Sequence, residues 1–237
     1  MRLSEEQLTC LHSQGFLVLP DLFSGAEVDA LRARLPALFT DGHEGNIVVR
    51  ESGEVGTSLG LHLRDECFSA LRRHPRLVEP ALQILGEPAY IQQVKVNVKA
   101  AFSGKFGLDL AGRPATLTVR GRCRSKDGKV HTDSRSKLIT ALIYLNDDWS
   151  GGGGQLRLLR SNNIEDVIAE VPPHAGTLIC FRNRENAWHG HTSYEGPRRA
   201  LQLNWVVDDA AARKSERRHG VSAFLKNFSF RSFFAGK

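Results

Sequence analysis

No stretch of this 237-residue chain stays apolar for anything near the roughly 20 residues a bilayer crossing needs, so no transmembrane segment is expected. Cysteine is scarce. Cys10, Cys67, Cys123 and Cys180 are scattered with no CxxC pairing, which argues against both a disulfide framework and a cysteine zinc site and leaves reduced thiols as the expectation. Met1-Arg2-Leu3-Ser4-Glu5-Glu6 carries acid where a signal or transit peptide would carry basic residues before an apolar run, so a cytoplasmic setting is expected. There is no internal repeat, and no low-complexity segment beyond Gly151-Gly152-Gly153-Gly154.

What is there is an ordinary globular composition, 41% hydrophobic and 24% charged, long enough to bury one full core. The net charge of +6 suits either nucleic acid or a small anionic substrate. The densest basic stretch holds Arg120, Arg122, Arg124, Lys126, Lys129, Arg135 and Lys137. No aromatic residue is interleaved there to stack on bases, so it reads as a solvated rim and a nucleic-acid partner is disfavoured.

Helix signals come first along the chain. Ser4 with Gln7 forms a capping-box pattern opening a helix that Gly15 would stop, and Phe16-Leu17-Val18-Leu19 reads as a buried strand. Ser24 with Glu27 repeats the device ahead of a helix carrying Val28, Leu31, Leu35 and Leu38 on one face, and a further helix over 77–85 ends at Gly86. From Ala89 the period changes to two, with Val94, Val96 and Val98 alternating with Lys95, Asn97 and Lys99. Strands are then expected over 116–122, 138–145, 155–159, 177–181 and 200–207. Helices followed by a run of short strands imply an α+β fold with a barrel or sandwich core. We read 1–237 as one domain: 1–88 mainly helical support, 89–209 the barrel core, and 210–237 a basic then aromatic extension whose phenylalanines, Phe224 to Phe234, would pack back on the body.

His131-Thr132-Asp133 lies just before the strand over 138–145, and alternation along an extended segment points residues i and i+2 to the same side. Both side chains can therefore meet one ion. A second histidine from another strand would complete the two-histidine, one-carboxylate facial triad that leaves positions open on Fe(II). So short a motif gains weight only from its context.

That context is an ordered series: a strand ending Tyr144-Leu145-Asn146, a glycine turn, Gln155-Leu156-Arg157-Leu158, a turn from Pro173 to Gly176, Trp188-His189-Gly190-His191, and Gly196-Pro197-Arg198. Over residues 130–207 the series resembles the catalytic half of the prolyl-hydroxylase-type 2-oxoglutarate oxygenases. Gly15-Phe16-Leu17-Val18-Leu19-Pro20 and the stretch from Gln93 to Gly104 resemble the phytanoyl-CoA dioxygenase and ectoine hydroxylase branch of the same superfamily. A basic segment stands where that branch would already have its HxD, so substrate contacts do not carry over.

The resemblance implies a double-stranded β-helix, the jelly-roll or cupin-like barrel, with N-terminal helices packed on it. It implies Fe(II), 2-oxoglutarate and O₂ as cofactor and co-substrates, with His131, Asp133 and His189 as catalytic metal ligands. His191 is a rival for the metal, or else a neighbour of the ligands or a plain surface histidine. Arg198 matches the arginine that grips the far carboxylate of 2-oxoglutarate with a planar, two-pronged donor, and Arg199 is the alternative if the strand register shifts by one. Tyr144 matches a tyrosine whose hydroxyl reaches the co-substrate, although an ordinary core tyrosine fits as well.

The implied activity is hydroxylation of an unactivated C–H bond in a small molecule, amino-acid-like or a natural-product intermediate, with release of succinate and CO₂. Halogenases of this family carry a small residue where Asp133 stands, so halogenation is disfavoured, whereas desaturation, epimerisation and ring closure stay open as outcomes of the same chemistry. Three alternatives remain open at this point: a protein prolyl hydroxylase, a nucleic-acid-modifying oxygenase, and a non-catalytic cupin-like binding protein. The second would carry another arginine a few residues beyond the first, where this chain runs Ala200-Leu201-Gln202-Leu203-Asn204-Trp205.

Overall fold

The computed structural model describes residues 1–43, 45–48, 55–86, 90–96, 118–123, 128–135, 137–147, 149–150 and 152–206. The expectation of an aromatic extension packing back on the body lies outside the described residues, as do Arg124 and Lys126 of the basic stretch.

Three helices form where the caps say they should. The first, α1 (Glu5–Gln14), is opened by a reciprocal Ser4–Gln7 capping box and closed by Gly15 at φ 85°, a left-handed conformation that glycine adopts without a side-chain clash. The second, α2 (Gly25–Thr40), uses the Ser24–Glu27 box and buries Val28, Leu31, Leu35 and Leu38. Two short helices follow, α3 (Leu61–Arg64) and α4 (Glu66–Arg72), the latter capped by the Asp65 carboxylate. The last, α5 (Pro75–Leu85), starts on a proline at its first turn and ends at Gly86.

Eleven strands are described: β1 (Phe16–Leu19), β2 (Asn46–Val48), β3 (Val55–Leu59), β4 (Tyr90–Val96), β5 (Thr118–Cys123), β6 (Lys137–Tyr144), β7 (Leu156–Leu159), β8 (Val167–Val171), β9 (Leu178–Arg182), β10 (Trp188–His191) and β11 (Gly196–Val206). They form two antiparallel sheets. The larger runs β1-β9-β6-β11-β4-β3-β2, with β5 pairing β11 and β3; the smaller runs β10-β7-β8. The region read as mainly helical support thus adds three strands to the large sheet, and β1 is zipped to β9 from Phe16↔Phe181 to Leu19↔Leu178. β2 and β3 are short and carry glycine, serine and threonine, which gives no apolar alternation to read.

The central strands β6, β9 and β11 carry apolar residues on both faces. Toward the helices point Ile139, Ala141 and Ile143 of β6, Leu178 and Cys180 of β9, and Leu201, Leu203 and Trp205 of β11, in one core with the α2 and α5 leucines. Toward the small sheet point Tyr144, Ile179, Phe181 and Ala200, packed on Leu156, Leu158 and Val171. Each buried aliphatic side chain of this kind contributes about 1.5–3 kcal/mol. Two antiparallel sheets facing each other across one interior make the double-stranded β-helix. Among the described residues no helix is long and apolar enough to cross a membrane.

Candidate metal and co-substrate site

His131 and His189 face each other across an antiparallel bridge. The His131 amide donates to the His189 carbonyl at 3.0 Å, and the His189 amide donates to the His131 carbonyl at 2.9 Å. Directly opposed residues in such a ladder put their side chains on the same face. Their ring centroids lie 4.4 Å apart. Asp133, two residues on from His131, turns to the same point, and one donor atom from each of His131, Asp133 and His189 lies within 4.8 Å of the other two. His189 is buried, Asp133 half-buried and His131 exposed, so the cluster sits at a mouth of the barrel.

Both histidines have their tautomer set by the backbone. Nδ1 of His131 donates to the Lys129 carbonyl at 2.8 Å, and Nδ1 of His189 donates to the Ala187 carbonyl at 3.0 Å. Each ring is left with an Nε2 lone pair, the donor a metal uses. Burial pushes His189 down to about 4 in spite of the neighbouring Asp133, which keeps the imidazole neutral. Burial would raise the Asp133 carboxyl, but the Lys137 ammonium, His189 and the Thr140 hydroxyl outweigh it and hold the group well below the usual carboxylate range. Two imidazoles, each with Nδ1 engaged by a backbone carbonyl, and one carboxylate are a donor set that holds a divalent iron and leaves coordination positions for exogenous ligands.

His191 is not part of this cluster. It is buried, pairs with Leu156 across to β7, and donates Nδ1 to the Thr192 carbonyl at 2.9 Å. Its ring packs on Gly128, where a Cβ would fall 2.4 Å from Nδ1.

Arg198 lies on the inner face of β11 with Ala200, Gln202 and Asn204, opposite Tyr144, Leu142 and Thr140 of β6. It is only 3% exposed, donates Nε to the Gly154 carbonyl at 2.7 Å, and holds its guanidinium over the Tyr144 ring. No carboxylate pairs with it among the described residues. Arg199 is half-buried, and its backbone is clamped by Asn146: the Arg199 amide donates to Asn146 Oδ1 at 2.5 Å, and Asn146 Nδ2 donates to the Arg199 carbonyl at 3.2 Å. That clamp fixes the register that turns Arg198 inward. The glycine turn has its own reason. Gly154 sits at φ +74° with the Trp149 ring 2.8 Å from where its Cβ would stand, so a side chain there would disturb the carbonyl that holds Arg198.

Lys137 corrects one expectation. The sequence placed it in a solvated rim, yet its ammonium is half-buried on Asp133 Oδ1 at 2.5 Å, because a turn closed by the Lys137 amide on the Ser134 carbonyl brings the start of β6 back over the carboxylate. Arg135 and Lys129 are exposed as expected. Thr140, Asn183 and Asn204 were not singled out either. The available signal was a lone threonine in Leu-Ile-Thr-Ala-Leu and a lone asparagine in Leu-Asn-Trp, polar side chains inside otherwise apolar strands.

Comparison with known proteins gives the chain's family. Residues 122–207 match the family model of the 2OG-Fe(II) oxygenase superfamily, and residues 11–108 match that of phytanoyl-CoA dioxygenase. The L-proline trans-4-hydroxylase of Streptomyces griseoviridis is 37% identical over 210 residues, covering 87% of this chain and 68% of that protein. The ectoine dioxygenase of Halomonas elongata is 36% identical over 107 residues, 44% of this chain. That match spans 32% of the relative's length, about a third. Among solved structures, EctD from S. alaskensis with bound Fe superposes with a TM-score of 0.63 at 17% identity, over 86% of this chain and 77% of that one. HygX from Streptomyces hygroscopicus with nickel and 2-oxoglutarate bound gives 0.59 at 17% identity, over 87% and 88%. The chain belongs to the 2-oxoglutarate and Fe(II) oxygenase superfamily, in its phytanoyl-CoA dioxygenase and ectoine dioxygenase branch.

Proposed function

We propose that the chain is an Fe(II)- and 2-oxoglutarate-dependent dioxygenase that hydroxylates an unactivated C–H bond of a small, amino-acid-like molecule. The observation that carries the reading is the pairing of two features in one barrel: the His131, Asp133 and His189 cluster at the mouth, and the buried Arg198 on the inner face of β11, with no carboxylate paired to it among the described residues. Iron with its bound co-substrate would supply the oxygen activation, with 2-oxoglutarate oxidised to succinate and CO₂ as one oxygen atom enters the C–H bond.

The protein's part is to hold and to exclude. His131, Asp133 and His189 would hold the iron through two Nε2 atoms and one carboxylate. Arg198 would bind the far carboxylate of 2-oxoglutarate, where removal from water makes a fixed, planar cation worth more than at the surface. Tyr144 supports that guanidinium from below and can add its hydroxyl to the same carboxylate. Leu156, Leu158, Ile179 and Phe181 line the same interior and keep bulk water from the reacting groups. The substrate class follows the nature of the relatives, a proline hydroxylase and the ectoine dioxygenases, named for small nitrogen-containing compounds. We treat the whole chain as one domain serving this single site, and a cytoplasmic enzyme suits reduced cysteines.

The test is succinate formation by the iron-loaded protein across a panel of free amino acids and cyclic amino-acid derivatives, with L-proline and ectoine included. Succinate release that rises with one such compound, matched by a product 16 mass units heavier, is the expected result. Release that stays at the substrate-free background throughout the panel would remove the amino-acid-like class. Failure to bind Fe(II) at all would remove the enzyme reading.

A further inference from the structure

On the inner face of the central strands, at the end of β11 away from Arg198, lies a buried polar layer. There three neighbouring strands each contribute one polar side chain: Thr140 from β6, Asn204 opposite it on β11, and Asn183 just past the end of β9. Thr140 is 1% exposed and Asn204 fully buried. A polar layer in such a place costs free energy unless its hydrogen bonds are made, and valine would fill the threonine's space with no such demand. Its contacts give the reason.

The Thr140 hydroxyl stands 2.6 Å from Asp133 Oδ2, 2.9 Å from Asn183 Nδ2 and 3.0 Å from Asn204 Oδ1. A hydroxyl has one proton to give. The carboxylate is both nearer and charged, so it takes that proton in a charge-assisted bond. The Asn183 amide donates into a lone pair of the same oxygen, which turns the hydroxyl proton away from Asn183 and toward Asp133. A directed chain results, Asn183 to Thr140 to Asp133. Lys137 holds the other carboxylate oxygen on a long stem from the very start of β6, whereas Thr140 is short and buried inside the strand.

We propose that Thr140 is a positioning residue: its hydroxyl, oriented by Asn183, fixes the plane of the Asp133 carboxylate so that it points at the same spot as His131 and His189. This rests on Asp133 being a metal ligand, as read above. In a metal site, partners that orient the ligands are worth about 10–100-fold in metal affinity.

The experiment is an absorption titration of the metal-free protein with Co(II), whose visible bands report ligand geometry, alongside urea unfolding of the same metal-free samples. Thr140→Val is expected to bind Co(II) about 10–100-fold more weakly with altered bands, while it still unfolds in one cooperative transition, at a midpoint lowered by the polar side chains left short of a partner. Thr140→Ser should restore both affinity and spectrum. Asn183→Leu should weaken binding in the same direction with Thr140 intact, and it carries the test if the valine variant does not fold. Wild-type affinity in Thr140→Val or Asn183→Leu, or an equal loss in Thr140→Ser and Thr140→Val, would overturn the proposal. Asp133→Ala is the separating arm. Undiminished Co(II) affinity in that variant would strike at the metal-site reading itself, whereas its loss beside a normal Thr140→Val would strike only at the role of Thr140.

Discussion

The Arg198 guanidinium lies over the Tyr144 ring with its carbon 5.4 Å from the ring centroid, and Nη2 is 3.5 Å from the tyrosine hydroxyl. The aromatic face offsets part of the cost of burying the cation. Arg198→Ala should therefore weaken 2-oxoglutarate binding by about 2–5 kcal/mol, the loss expected when one partner of a buried charge pair is removed. Metal affinity should hardly move, since the guanidinium lies outside the ligand cluster. Arg199→Ala is the control, because only its backbone is engaged by Asn146. Calorimetric titration of 2-oxoglutarate into the Fe(II)-loaded protein under argon checks both. A greater loss in Arg199→Ala would mean the two arginines are misassigned.

What the sequence made legible here was whatever repeats with a short period or sits at a cap. Ser4, Ser24, Gly15 and Gly86 mark helix ends by chemistry that acts within four residues, and β1, β6 and β9 of the large sheet show their apolar runs directly. The His131-Thr132-Asp133 spacing was readable because strand alternation alone puts both side chains on one side. The Asn146 clamp, the Lys137 bond to Asp133 and the Thr140 layer were not, because each joins residues through a turn or across the barrel, and no local pattern encodes a contact of that kind. The inward face of Arg198 needed the register of β11 against β6, which a one-residue slip would have reversed.

Metal-free protein should lose stability on mild acidification. His189 is pushed from an ordinary 6.5 down to about 4 by burial. Above pH 6.5 it is neutral whether folded or unfolded and contributes nothing. Below that, the unfolded chain takes a proton that the native state refuses until about pH 4, so stability falls across the window by at most about 1.4 kcal/mol per pH unit. Asp133 acts lower: its depressed carboxyl contributes stability above the ordinary value of 3.8, which is lost only as the pH falls below it. His74, also lowered by burial, adds to the His189 effect, so the comparison must be made by mutation. Urea midpoints of chelator-treated wild type and His189→Gln, taken at about pH 7 and about pH 5, should show the flatter pH dependence in the mutant. Equal dependence would assign the acid sensitivity elsewhere.

Cys180 should be chemically silent in the native state. Its thiol faces the helical core beneath β9, and burial pushes it up to about 12, so almost no thiolate forms near neutrality. Cys10 and Cys67 are part-exposed. Iodoacetamide followed by peptide mapping should label Cys10 in the folded protein and reach Cys180 only in denaturant. Native labelling of Cys180 at a comparable rate would show that the β1 edge of the sheet opens readily.

Gly128 separates two reasons for requiring glycine. Its φ is +85°, where an L side chain is strained, and a Cβ there would also stand 2.4 Å from the His191 ring and 2.5 Å from the His191 carbonyl oxygen. That carbonyl is backbone and cannot swing aside. The reciprocal approach is as close: a Cβ on Gly190 would stand 2.7 Å from the Gly128 carbonyl, and the His191 amide donates to that same carbonyl at 3.0 Å. So β10 and the segment leading into His131 touch through two glycines, and this contact sets the spacing of the His131–His189 bridge. Gly42 has φ +70° with open space around it. Gly42→Ala should therefore cost only the left-handed conformation, about 1–2 kcal/mol. Gly128→Ala should cost more than that and should also weaken Co(II) binding, because the segment must move away from β10 and carry His131 with it. Urea unfolding and metal titration of the two variants side by side decide the matter. Equal destabilisation, with metal affinity unchanged in Gly128→Ala, would mean that the backbone conformation, and not the close approach of the two segments, is what glycine provides there.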